Sequence, residues 1–272
     1  MVTVDQRLRN GLQSEAKRHP KLGEEVAALQ QSGLSLKDAL YRLVKTAGSG
    51  RSIRGSAAAA LLDGGLFDSV DILLNDFFNA TEQNLIWEAA ESLRQARAKR
   101  AVPRLIAALY DPDPERRYVA AHVLGWMEDK RVVIPLLRSL EDPAQLELVR
   151  GECAESLSYL RSKQAVPALI RFLKDPSVHV RFWSVFALGS TTEPSWGPIR
   201  DRRIKPALES MLHDTAVLPT CWSVGREALA FLGLRLPERN RYKAELDAEI
   251  EVVLKSPDAS PEDRKWAEFY GL

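Results

Sequence analysis

The sequence of 272 residues predicts an all-α fold: an α-solenoid, or α/α superhelix, of about six helix pairs with N- and C-terminal helical caps. Three observations predict it. One apolar stripe with helical spacing recurs at near-constant intervals. Each stripe is followed by a turn, an arginine and a run of small residues. And a single helix pair buries too little apolar surface to offset the ordering of its own chain, so pairs must stack.

The stripes have apolar residues at i, i+3, i+4 and i+7, one face of an α-helix. They read Leu36, Ala39, Leu40, Leu43; Val70, Leu73, Leu74, Phe77; Val102, Leu105, Ile106, Leu109; Val133, Leu136, Leu137, Leu140; Val166, Leu169, Ile170, Leu173; and Ile204, Ala207, Leu208, Met211. Their first residues lie 34, 32, 31, 33 and 38 apart. The turns carry Asp111-Pro112, Asp142-Pro143 and Asp175-Pro176. Proline cannot continue a helix interior, and aspartate bonds its own backbone locally. A second helix follows each turn. It opens near Arg54, Arg117, Arg150 or Arg181 and continues with small residues such as Ala57-Ala58, Ala120-Ala121 and Cys153-Ala154. The second repeat has Ile86 where the arginine is expected.

The domain reading is therefore 1–35 as an N-terminal helical cap, 36–236 as the repeat array and 237–272 as a C-terminal helical cap. In the last segment Tyr242, Leu246, Ile250 and Val253 share one helix face. Ser260-Pro261 is a helix start, with serine as N-cap and proline at the first helical position. Trp266, Phe269 and Tyr270 are expected to pin that final helix onto the array.

The segments AVPRLIAALYDPDPERRYVAAHVLG and AVPALIRFLKDPSVHVRFWSVFALG resemble HEAT repeats of the short, phycobilisome-lyase-like type. The resemblance covers about three quarters of the chain. It implies a ladder between adjacent repeats, in which Asp111, Asp142 and Asp175 pair with Arg117, Arg150 and Arg181. Ile86 departs from that pattern. The repeat serves many functions, so the resemblance implies fold rather than activity.

Several chemistries find no support. Thirty-eight Lys plus Arg against thirty-seven Asp plus Glu leave a net charge of +1, so no global field draws nucleic acid or an acidic membrane. No run of 18 apolar residues exists for a membrane span, and the N-terminus lacks the apolar core of a secretory signal. Cys153 and Cys221 form no CxxC pair, and a cytoplasmic setting is expected. The segment from Gly50 to Ser56 has phosphate-loop spacing, but Ser56 stands where the lysine belongs. His19, His122, His179 and His213 form no HExxH motif. The deoxyhypusine hydroxylases, a related HEAT enzyme class, hold iron with tandem His-Glu pairs, and this sequence has no His-Glu dipeptide. Glu88 with Glu91, and Glu152 with Glu155, are carboxylate pairs without an accompanying nucleophile or base. The expectation is no catalytic, cofactor or metal site, and no enzyme.

Arg94, Arg97, Lys99, Arg100 and Arg104 crowd five cations into eleven residues, a basic edge that favours nucleic acid as one alternative.

The second helices should line the inner face. With the ladder arginine as position zero, positions 3, 4 and 7 face the core, and positions 2, 5 and 9 lie about 160° away. That stripe reads Glu88 and Glu91; Val119, His122 and Trp126; Glu152, Glu155 and Tyr159; and Trp183 and Phe186. Trp196, in the Pro/Gly-rich insertion from Pro194 to Arg200, is placed to fold over it. Aromatics on a face expected to be wet point to binding, with burial against the next repeat as the rival reading for Trp183 and Phe186. The leading reading is a scaffold that binds another protein through a basic or Arg-containing segment. The runner-up is a lyase-type or chaperone subunit acting on a pigment-carrying protein.

Overall fold

The computed structural model describes residues 2–48, 50–190, 201–219, 221–235 and 239–271. Trp196 lies outside them. The described residues form α-helices joined by short turns and two 3-10 turns, with one isolated bridge between Val217 and Ser223 and no strand. No helix among them is long and apolar enough to cross a membrane. The chain divides into two compact units, Met1–Val132 and Val133–Leu272.

The first unit holds α1 (Val4–Arg18), α2 (Pro20–Gln31), α3 (Leu36–Lys45), α4 (Arg51–Asp63), α5 (Asp68–Asn79), α6 (Gln83–Gln95), α7 (Val102–Ala108) and α8 (Pro114–Trp126). Helix starts follow local chemistry. The Thr3 hydroxyl accepts from the Gln6 amide, the Ser35 hydroxyl from the Asp38 amide and the Asp113 carboxylate from the Glu115 amide. The stripe residues of α3, α5 and α7 are buried, except that Ile106 is half-buried. The second helices α4, α6 and α8 pack side by side. Helix α1 crosses α4 at Gly11, where an added Cβ would sit 3.0 Å from the Ala60 carbonyl oxygen.

The second unit holds α9 (Val133–Glu141), α10 (Glu147–Leu160), α11 (Val166–Phe172), α12 (Val178–Ser190), α13 (Ile204–Glu209), α14 (Val224–Arg235), α15 (Arg239–Lys255) and α16 (Pro261–Tyr270). Helix α10 packs on α12, and α12 on α14. The predicted face of α15 is buried: Leu246, Ile250 and Val253 cluster with Trp266 and Tyr270 of α16, while the Tyr242 hydroxyl donates to Glu209 of α13. Ser260 caps α16 through the Asp263 amide, as its sequence predicts. Phe269 does not pin this helix: it is 65% exposed, while Trp266 is fully buried. Tyr270 follows Trp266 by four residues, about one turn, and shares its face, while Phe269 lies about 100° round the helix from Tyr270.

The arginine ladder is present in modified form. Arg150 donates to the Asp175 carboxylate and, through Nε at 2.9 Å, to the Leu140 carbonyl at the end of α9. Arg181 donates at 2.7 Å to Asp214, an acid outside the expected set, and at 2.9 Å to the Asp175 carbonyl. Arg117 donates to the backbone of its turn, with the Asp111 carbonyl at 2.8 Å, and no carboxylate among the described residues pairs with it. Arg54 is wholly buried among Asp76, Glu88 and the Val44 carbonyl. Where Ile86 interrupts the ladder, Arg116 of α8 reaches back to the Phe77 and Ala80 carbonyls at the end of α5. Arg54, Arg116 and Arg150 thereby satisfy orphan carbonyls at the ends of α3, α5 and α9, where the helix dipole also favours a cation.

Candidate functional site

In the first unit, the adjoining faces of α6 and α8 carry a connected row of aromatic and charged groups. The Trp87 ring meets Tyr118 and His122 edge-on, with centroids 6.0 and 5.1 Å apart. Its indole Nε1 donates at 2.8 Å to Glu115, which also accepts from Gln83. One turn further, the buried Glu91 accepts from Arg94 at 2.7 Å and lies 3.7 Å from His122 Nε2. The Arg94 guanidinium sits 6.0 Å from the centroid of Trp126. Trp126 is 41% exposed and is the open end of the row. Trp87 also walls a cleft of about 890 Å³ shared with His19, Lys21, Ser52 and Glu88.

In the second unit, α10 and α12 approach through Gly151. A Cβ there would lie 2.1 Å from His179 Cδ2 and 3.0 Å from Trp183 Cδ1, so the missing side chain is what lets those rings cover α10. The rings continue from His179 to Trp183 at 6.3 Å, to Phe186 at 5.3 Å and to Phe231 at 5.9 Å. Beside them, the Tyr159 hydroxyl donates to Glu155 at 2.8 Å. Burial first, and the Glu155 charge second, hold the Tyr159 proton well above the usual phenol range. Burial lowers the His179 pKa, against the opposing pull of Glu147 and Glu152.

The structure sorts the expected face into three groups. Val119, Glu91 and Glu152 are buried, at 0%, 6% and 2% exposure, and correct the reading that they face outward. Second helices stacked side by side cover each other's flanks, so the residues flanking the inner stripe meet protein rather than water. Glu88 is committed to structure: it holds Arg54 at 2.9 Å and accepts the Gly48 amide. His122, Trp126, Glu155, Tyr159, Trp183 and Phe186 retain exposed surface. Phe186 also meets the rival reading, because its ring packs on Phe231 of the following helix pair. Trp87 and Tyr118 were missed by the sequence reading. Both occupy position 1 after the ladder site, as Phe182 does, and that recurrence of aromatics was the available signal.

Comparison with known proteins places this geometry. The HEAT repeats family matches residues 70–158 and 144–230. Deoxyhypusine hydroxylase of Drosophila melanogaster is 31% identical over 102 residues, 38% of this chain and 34% of that protein. The match therefore spans about a third of that relative's length. A solved Kap121p mutant is 17% identical with a TM-score of 0.50, covering 86% of this chain and 27% of that one. The CpcE–CpcF complex of phycocyanin lyase from Nostoc sp. PCC7120 is 20% identical with a TM-score of 0.44, covering 88% and 94%. The hydroxylase match corrects the expectation that this chain is not an enzyme, because the curated relatives it resembles are enzymes. Among the described residues no group of three or more His, Cys, Asp and Glu side chains could hold a metal ion.

Proposed function

The chain belongs to the HEAT-repeat family, and we propose that it binds a segment of another protein along its second helices, with arginine or lysine side chains as the groups recognised. The observation that carries this reading is the pairing of half-exposed aromatic rings with carboxylates on both α6–α8 and α10–α12. Edge-on contacts already fix these rings, so little side-chain entropy remains to be lost on binding. A cation meeting Trp126 or Trp183 gains a cation–π contact, and a neighbouring carboxylate such as Glu155 supplies charge complementarity. Glu91 and Glu152 contribute negative potential from within rather than direct contact, since both are buried.

A fluorescently labelled arginine-rich peptide tests the proposal. Trp126→Ala and Trp183→Ala should each weaken its binding at least tenfold, about 1.4 kcal/mol. Unchanged affinity in both variants, with unchanged melting temperature, removes the reading. The enzymatic relatives favour a second reading, in which the bound segment is also chemically modified. Mass spectrometry of a partner protein captured from cells and incubated with the purified chain would detect the added mass.

A further inference from the structure

Of the basic run, Arg94 takes part in the surface described above and the others do not. Its cations have separate fates. Arg94 turns to Glu91 and Trp126. Arg104 lies over the Phe78 ring at 4.7 Å. Arg97, Lys99 and Arg100 instead follow the end of α6 and converge on a cleft of about 400 Å³ floored by α1, α4 and the start of α5. Arg18 of α1 lines the same cleft.

Four cations thus face two carboxylates there, Glu15 and Asp63. Glu15 is buried and already accepts from Arg18 at 2.9 Å, which leaves other guanidinium donors of Arg18 free to serve a ligand. Among the described residues no carboxylate lies within salt-bridge distance of Arg97, Lys99 or Arg100, whereas the neighbouring Arg94 and Arg131 pair with Glu91 and Asp129. The Arg100 guanidinium carbon lies 4.7 Å from the centroid of the Phe67 ring, a cation–π contact that favours this position before any ligand arrives. Leu62 and Val70 make part of the remaining wall apolar, beside Ser14 and Gln95. A low-dielectric wall strengthens an ion pair formed against it.

We propose that this cleft binds a phosphoryl group, with Arg97 and Arg100 as its bidentate ligands and Arg18 and Lys99 supplying charge. Guanidinium forks match the tetrahedral oxygens of phosphate better than an ammonium does. The phosphoryl group can belong to a small phosphate ester or to a phosphorylated peptide segment. A nucleic-acid backbone is disfavoured, because Glu15 and Asp63 interrupt the basic surface that a regular row of phosphates would follow.

Isothermal titration of the full chain with inorganic pyrophosphate, with a phosphoserine peptide and its unphosphorylated form, and with single-stranded DNA tests this. Saturable pyrophosphate or phosphopeptide binding is expected, and the tighter of the two identifies the source. Arg97→Ala combined with Arg100→Ala should weaken it at least tenfold. Arg97→Lys combined with Arg100→Lys should fall between, because charge remains while the fork is lost. Arg171→Ala, whose guanidinium pairs with Glu141 in the other unit, should bind as the parent does. Melting temperatures of all variants should match the parent, since the substituted side chains are exposed. The proposal is overturned if neither phosphate probe binds, if the double alanine variant binds as well as the parent, or if DNA binds most tightly with a salt slope larger than these few cations can give.

Discussion

Gly151 shows how one residue sets a surface. Its missing Cβ leaves the space that His179 and Trp183 fill, so the aromatic row of α12 rests on the backbone of α10. Gly151→Ala should force both rings away and cost about 1–3 kcal/mol, the usual penalty for overpacking. The check is the denaturation midpoint together with the tryptophan emission maximum, which should shift as Trp183 loses its seat. An unaltered midpoint and spectrum would mean the helices separate without cost. At this scale the sequence was only half legible. A helical wheel gives the direction of a side chain about its own axis, which places Ala120 and Ala154 inside correctly. It does not report the neighbouring helix, which is why Val119 and Glu152 were read as outward-facing and are buried.

Helices and turns were more legible, because their signals are local. The six stripes, the Asp-Pro turns and the Ser260 cap each reflect chemistry within one turn of chain, and the elements form where those signals stand. The ladder was less so, since it joins residues of different repeats. Asp214 replaces an expected acid, and Arg116 takes over the carbonyls that an arginine at position 86 would have met. The ladder predicts a graded response. Arg150→Ala strands the nearly buried Asp175 carboxylate, 5% exposed, and should cost about 3–5 kcal/mol. Arg171→Ala breaks an exposed pair with Glu141 and should cost less than about 1 kcal/mol. Urea denaturation of both variants separates the cases. Equal midpoints would show that the inter-repeat pair carries no stability.

For the whole molecule, the near balance of charge in the sequence has a consequence for association. With a net charge of +1, the chain as a whole exerts little long-range pull on a basic segment. Any salt dependence of binding must then come from local carboxylates, and only the accessible ones are fair targets for substitution. Glu152 is a poor choice, because a lysine forced into its buried site would unfold its surroundings before it repelled anything. Glu155 is half-exposed and accepts from the Tyr159 hydroxyl at 2.8 Å, so reversal of its charge there is a milder test than at Glu152. Glu155→Lys should weaken an arginine-rich peptide about tenfold at low salt. The loss should shrink as salt rises towards about 1 M, where the screening length falls to about 3 Å. The association rate should change less than the dissociation rate, because a contact rather than a distant field has been lost. Stopped-flow measurements at several salt concentrations resolve the two rates. A loss of affinity that is independent of salt would assign the effect of Glu155→Lys to damaged packing around Tyr159 instead of charge, and the acidic half of the recognition reading would fall while the aromatic half stood.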